Sequence, residues 1–277
     1  MKFLGIIPAR YGSSRLEGKP LKDICGHTMI EWVYKRAKLS KLDDVIVATD
    51  DKRIFDEVER FGGKVIMTRE DHPNGTSRIA EVCEKITDCD VVINIQGDEP
   101  LIEKDMINSL IDAFLKEPEL QMGTLKHKLD TMEEVKNPNS VKVITDKNDY
   151  AIYFSRSVIP YPRKEDMKNY YKHVGIYGYK RKFVLEYSKW EQTPLEISES
   201  LEQLRVLENG YKRKFVLEYS KWEQTPLEIS ESLEQLRVLE NGCKIKVLPT
   251  SYKIIGVDTE AELERVREYI SKNNLKI

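Results

Sequence analysis

The sequence predicts an α/β fold: a mixed, doubly wound sheet flanked by helices, with a smaller lobe in the middle of the chain. Three observations carry this expectation. Short apolar runs alternate with stretches of helical periodicity from Phe3 to Leu115. The composition then shifts towards Tyr and β-branched residues between Gly123 and Tyr179. Finally, the chain returns through strand-like runs to a capped amphipathic helix.

In order, Phe3–Ile7, Val45–Ala48, Lys64–Met67 and Val91–Ile95 are short apolar runs suited to buried parallel strands. Met29–Lys38, Lys52–Phe61, Ser77–Ile86 and Lys104–Leu115 have helical patterns between and after them. Val141–Thr145, Ala151–Phe154 and His173–Tyr179 read as strands of the middle region, and Lys244–Leu248 and Ile254–Gly256 as returning strands. Thr259-x-x-Glu262 is a capping box, and Leu263, Val266 and Ile270 mark the apolar face of the last helix.

One feature cuts across this pattern. Tyr179–Gly210 recurs, residue for residue, as Tyr211–Gly242. Solenoid repeats drift because each copy has its own neighbours. Two identical 32-residue copies instead read as a tandem duplication. Both have the same folding information, so a single native position is expected to take one copy and leave the other as an insertion. The first copy is the expected occupant, because it continues the chain from His173.

The 277 residues are 40% hydrophobic and 33% charged, with a net charge of −2, which describes a globular chain with a real core. There is no basic excess to suggest a nucleic-acid partner. Pro8 and Arg10 interrupt the first apolar run, so neither a signal peptide nor a membrane span is expected. Cys25, Cys83, Cys89 and Cys243 form no C-x-x-C pair. They are expected to be small apolar fillers in a reducing, cytoplasmic setting.

Five stretches can carry chemistry. Pro8–Leu21 follows the first strand, where open α/β sheets place ligands. It combines Gly12 and Gly18 with Arg10, Arg15 and Lys19, a pairing of turns, bare amides and cations that suits phosphate groups. It is not a Walker loop, because five residues separate its glycines and Pro20 follows the lysine. Asn94–Pro100 ends a buried strand, and Gly97 lets the chain turn to present Asp98 as a magnesium ligand or as a local turn acid. Asp258, in Ile255–Thr259, is either a second ligand or an ordinary acid at a helix start. His72–Arg78 offers Gly75, Thr76 and Arg78 to a base edge or phosphate, and reads equally well as a turn with an N-cap. Arg156 and Arg163 can clamp a carboxylate. Near them in sequence, His173, Tyr177, Glu202 and Gln203 are candidate polar contacts, or a structural histidine and a surface pair.

Together the motifs IIPARYGSSRLEGKPL, ATDD, NGTSR, INIQGDEP, FSRSVIPYPR, KHVGIYGY, SLEQLRVLENG and IGVDT resemble the CMP-Kdo synthetases, the 3-deoxy-manno-octulosonate (Kdo) cytidylyltransferases. The joint order is specific although each piece alone is not. The resemblance implies a single Rossmann-like nucleotidyltransferase domain. Its parts would be residues 1–122 for CTP, 123–178 as a sugar-binding and dimerisation lobe, 179–210 and 211–242 as the repeated segment, and 243–277 as the closing strand and helix. It implies a homodimer that acts on CTP and Kdo in lipopolysaccharide biosynthesis. Arg10, Ser13 and Lys19 would hold the CTP phosphates, Arg78 and Gln96 would help place the cytidine, and Asp98 and Asp258 would bind Mg²⁺, while Arg15 and Gly75 remain substrate-binding candidates from their loops. Arg156, Arg163, His173, Tyr177 and the Glu202-Gln203 pair would face the sugar acid, with Glu234-Gln235 as the duplicate of that pair. Ser77 stands where the family usually has an acidic residue. Two other readings are a nucleotidyltransferase for another sugar or sugar acid, and a nucleotide-binding protein inactivated by the duplication.

Overall fold

The computed structural model describes residues 1–12, 16–72, 74–161, 170–208, 245–252 and 255–277. The chain divides into two compact units, one of Met1–Glu119, Val174–Ser188 and Thr250–Ile277, the other of Leu120–His173 and Lys189–Pro249.

In the first unit, β1 (Phe3–Ala9), β4 (Asp44–Thr49), β5 (Val65–Met67) and β6 (Val91–Asn94) form a parallel sheet in the order β6-β1-β4-β5. The sequence expectation holds at each of these strands, to within two residues at either end. A two-residue hairpin, β2 (Asp23–Ile24) and β3 (His27–Thr28), precedes α1 (Met29–Lys38). The other crossovers are α2 (Lys52–Arg60), α3 (Gly75–Lys85) and α4 (Lys104–Lys116). β1, β4 and β6 are almost wholly buried because helices cover the sheet, which is why they read as continuous apolar runs, whereas β5 at the sheet edge is half-buried to exposed.

The far half of β10 (Tyr171–Lys180) joins this sheet antiparallel to β6, pairing Tyr177 with Asn94 and Lys180 with Val91, and α6 (Arg181–Tyr187) follows. The sheet is therefore mixed. The closing helix, here α9 (Glu260–Lys272), has the expected capping box: Thr259 accepts from the Glu262 N–H, and Glu262 accepts from the Thr259 N–H. Its Leu263, Val266 and Ile270 pack with Ile24, Met29, Trp32 and Val257. This burial returns the end of the chain to its beginning. At about 25 cal/mol per Å² of apolar area, each such side chain contributes about 1.5–3 kcal/mol.

The second unit has β7 (Met122–Lys128), α5 (Met132–Lys136), and an antiparallel pair, β8 (Lys142–Thr145) and β9 (Ala151–Ser155). Lys172 at the start of β10 pairs with Lys142. The Lys142 ammonium is buried against the carbonyls of Asn137 and Arg156. Burial, aided by the Arg156 charge, pushes its pKa below the ordinary lysine value. The first copy of the repeated segment supplies α7 (Pro194–Glu199) and a helix α8 over residues 202–208, and β11 (Ile245–Thr250) follows the second copy. Arg205 is buried with Glu196, whose Oε2 accepts from Arg205 Nε at 2.7 Å. Leu204, Val206 and Leu207 are buried beside them.

Four expectations change. Ile255 and Gly256 form no strand; the segment instead runs straight to the Val257 contact described below. β7 was not anticipated, because Met122–Lys128 carries Lys126, His127 and Lys128, which blunt its apolar signal. α5 was also missed, being only five residues long. Among the cysteines, Cys83 and Cys89 are buried as expected, but Cys25 is exposed at a left-handed position, φ 53°. Among the described residues no helix is long and apolar enough to cross a membrane.

Candidate active site

The expected acidic pair meets on one cation. Lys19 Nζ lies 2.7 Å from Asp98 Oδ2 and 2.8 Å from Asp258 Oδ1. Three separate stretches deliver these groups. Lys19 opens a short 3-10 turn after Gly18, which adopts φ 63°. Asp98 follows β6, in a turn where a Cβ on Gly97 would lie 2.9 Å from the Pro8 carbonyl oxygen. Only glycine lets the two strand ends approach so closely. Asp258 precedes α9, and its N–H donates to Glu262 at 2.9 Å. The preceding residue, Val257, donates its N–H to the Asp98 carbonyl at 2.9 Å, which fixes the two carboxylates as neighbours.

Burial disfavours the Lys19 charge, but Asp98 and Asp258 outweigh it and raise its pKa above the ordinary 10.5. The ammonium thus marks a point where two carboxylates converge. Two carboxylate oxygen donors suit a magnesium ion, which takes few protein ligands and shares phosphate oxygens. No third His, Cys, Asp or Glu joins them among the described residues.

Of the other residues singled out, Arg10 is exposed at the end of β1. Gln96 is half-buried, and its side-chain amide donates to the Gly175 carbonyl at 3.0 Å. Tyr177 is half-buried and stacks on Tyr179, with ring centroids 5.9 Å apart. Gly75 begins α3, where a Cβ would meet Pro8 at 3.5 Å. Arg78 is buried, and its guanidinium is engaged by Asp50 at 2.5 Å, by Thr68 Oγ1 and by the Arg69 carbonyl. This cluster ties together the ends of β4 and β5 and the first turn of α3. Asp50 was missed as a contributor. Its signal was the paired acid in ATDD at the end of a strand, where one aspartate caps α2 and the other is left for a different partner.

In the second unit, Arg156 donates from Nε to the Glu199 carbonyl at 2.9 Å, and its backbone N–H donates to the Glu199 carboxylate at 3.0 Å. His173 is buried, lies 3.0 Å from Thr124 Oγ1, and meets the Phe154 ring edge-on. Burial pushes its pKa down to about 3, so the imidazole is neutral at physiological pH. Glu202 is half-buried and Gln203 is buried on α8. Ser13, Arg15, Arg163, Glu234 and Gln235 lie outside the described residues.

Comparisons with known proteins identify the family. A family model described as cytidylyltransferase matches residues 4–213. A 3-deoxy-manno-octulosonate cytidylyltransferase of Fusobacterium nucleatum is 63% identical over 277 residues, covering 100% of both chains. The chain belongs to the cytidylyltransferase family, among the 3-deoxy-manno-octulosonate cytidylyltransferases. A further member of this cytidylyltransferase group, from Geotalea uraniireducens, is 44% identical over 98% of this chain and 100% of its own. A solved structure of CMP:2-keto-3-deoxy-manno-octonic acid synthetase complexed with CTP superposes with a TM-score of 0.82. It is 39% identical and covers 99% of this cytidylyltransferase and 100% of that chain. A glucose-1-phosphate thymidylyltransferase structure from Bacillus anthracis, 17% identical with a TM-score of 0.62, shares the fold over 99% of this chain and 98% of its own.

Proposed function

We propose that this cytidylyltransferase transfers the cytidylyl group of CTP to the anomeric hydroxyl of Kdo, giving CMP-Kdo and pyrophosphate for lipopolysaccharide synthesis. The hydroxyl oxygen attacks the α-phosphorus, the bond from that phosphorus to the bridging oxygen breaks, and pyrophosphate departs with that oxygen. The hydroxyl proton passes to solvent. The observation that supports this most strongly is the convergence of Lys19, Asp98 and Asp258 at the end of the basic loop after β1.

Transfer at phosphorus depends on positioning and charge neutralisation more than on covalent catalysis. Arg10 and Lys19, with Ser13 and Arg15, neutralise the triphosphate. Gln96, Gly75 and Arg78 set the cytidine end, with Arg78 acting from its fixed position beside Asp50. Asp98 and Asp258 would hold Mg²⁺, which supplies Lewis-acid charge neutralisation when bound. Arg156, Arg163, Tyr177, Glu202 and Gln203 recognise the sugar acid, and neutral His173 serves as a hydrogen-bonding wall rather than a proton carrier. The protein works in the cytoplasm as a homodimer built through the lobe at 123–178.

The repeated segment is a tandem duplication whose first copy is the functional one. The family match ends at residue 213, three residues into the second copy, and the first copy supplies the buried Arg205–Glu196 pair. Pyrophosphate release from CTP, measured with and without Kdo, tests the proposal. Release that needs Kdo supports it, whereas release indifferent to Kdo, or equal with another sugar acid, rejects the assigned acceptor.

A further inference from the structure

Beside the site, Tyr11 and Arg53 form a contact. The Arg53 guanidinium stacks on the Tyr11 ring, 3.2 Å from its centroid. Asp51 holds that guanidinium through two side-chain bonds, to Nε at 3.0 Å and to Nη2 at 2.6 Å, and also caps α2 by accepting from the Arg53 N–H. The far edge of the same ring packs on Gly18: a Cβ there would lie 3.0 Å from three Tyr11 atoms, the hydroxyl oxygen among them. The Gly18 N–H donates to the Tyr11 carbonyl at 3.1 Å and closes the base of the loop. Gly18 immediately precedes Lys19, and Tyr11 immediately follows Arg10. The two cations assigned to the triphosphate are thus the immediate neighbours of the two residues that this packing and this bond join.

We propose that Arg53, held by Asp51, is a positioning residue for the basic loop: it pins the Tyr11 ring against Gly18 and presets the turn that carries Arg10 and Lys19. The chain's own α2 is the anchor, because Asp51 and Arg53 occupy its cap and first turn. Nε and Nη2 of the guanidinium are held by the Asp51 carboxylate, and one face lies on the Tyr11 ring. A loop set in advance loses less freedom when an anion binds, and the gain appears in affinity rather than in the chemical step. The consequence for CTP rests on the functional reading above; the consequence for the loop does not.

The test compares Arg53→Ala, Tyr11→Ala, Tyr11→Phe and the Arg53→Ala/Tyr11→Ala double variant by two readouts. Hydrogen exchange at the Gly18 amide in the free protein reports the loop without any substrate. Steady-state kinetics report KM and kcat for CTP. Arg53→Ala and Tyr11→Ala should each speed Gly18 exchange and raise the KM about fivefold, the scale of an exposed cation–π contact, with kcat within about twofold. The double variant should be no worse than either single one, and Tyr11→Phe, which keeps the ring face, should match the parent. Unchanged Gly18 exchange in Arg53→Ala overturns the proposal, as does a double variant whose effects multiply, or a loss confined to kcat with a lowered Tm. A parent protein inert towards CTP would reject the functional reading while the exchange data still decide the clamp.

Discussion

Val257 donates its backbone N–H to the carbonyl of Asp98 at 2.9 Å, although the two residues are far apart in sequence. This bond, not the side chains, makes Asp98 and Asp258 neighbours. Two carboxylates so placed repel each other unless a cation lies between them, and here Lys19 does so. Lys19→Gln should therefore lower the Tm at neutral pH, and millimolar Mg²⁺ should restore more Tm to the variant than it adds to the parent. Thermal melts with and without Mg²⁺ check this, and an Mg²⁺ response equal in both proteins would count against a shared cation position. The raised Lys19 pKa places its contribution below the ordinary 10.5, with loss only as the pH climbs beyond that through the higher folded value. Stability should thus show no alkaline loss from this cluster between pH 7 and about 9.

His173 titrates low, at about 3, against 6.5 when free. Below pH 6.5 the unfolded chain takes up a proton that the folded protein refuses, so its contribution to stability is intact above 6.5 and lost as the pH falls towards 3. Glu81 adds a second acid-sensitive contribution. Burial opposes its charge, but Lys85, the Arg69 N–H and His72 outweigh it and hold it down at about 2, so its contribution is lost between 4.5 and about 2. The expected result is a steady fall in urea midpoint below pH 6.5, while the His173 ring signals in NMR stay unshifted between pH 5 and 8. A His173 signal that titrates near 6.5 would contradict a buried, neutral ring.

The two repeat copies differ in position alone, so substitutions can ask which one is used. Glu202→Ala/Gln203→Ala should depress Kdo-dependent turnover, and Glu234→Ala/Gln235→Ala should leave it within about twofold. Arg205→Ala should cost about 3 kcal/mol, because it strands buried Glu196, while the equivalent Arg237→Ala should cost little. Urea melts and turnover assays measure both. Equal losses from both copies would contradict a single native position.

Much of this was legible in the sequence for physical reasons. Buried parallel strands must be apolar throughout, so β1, β4 and β6 stood out, and Thr259-x-x-Glu262 fixed the start of α9 through a purely local interaction. Asp98 and Asp258 were each ambiguous alone, because an acid in a turn or at a helix start has a commoner local use. Their meeting depends on the Val257 bond and the packing of Leu263, Val266 and Ile270, which no local pattern encodes. Asp50 and Arg53 were hidden for the same reason: their partners, Arg78 in α3 and Tyr11 after β1, come from other parts of the chain. β7 escaped because a strand with three consecutive basic residues, Lys126 to Lys128, loses the apolar run that marks its neighbours.

Under the proposed function, Asp98 and Asp258 form the cation site at which the cytidylyl group is transferred. Kdo-dependent pyrophosphate release from CTP and Mg²⁺ by the parent, Asp98→Asn and Asp258→Asn tests it most directly, since both substitutions keep shape and remove charge. The expected result is robust release by the parent and a loss of about a hundredfold or more in each variant, the scale of removing one preorganised electrostatic group. Near-normal turnover in either variant would overturn this assignment.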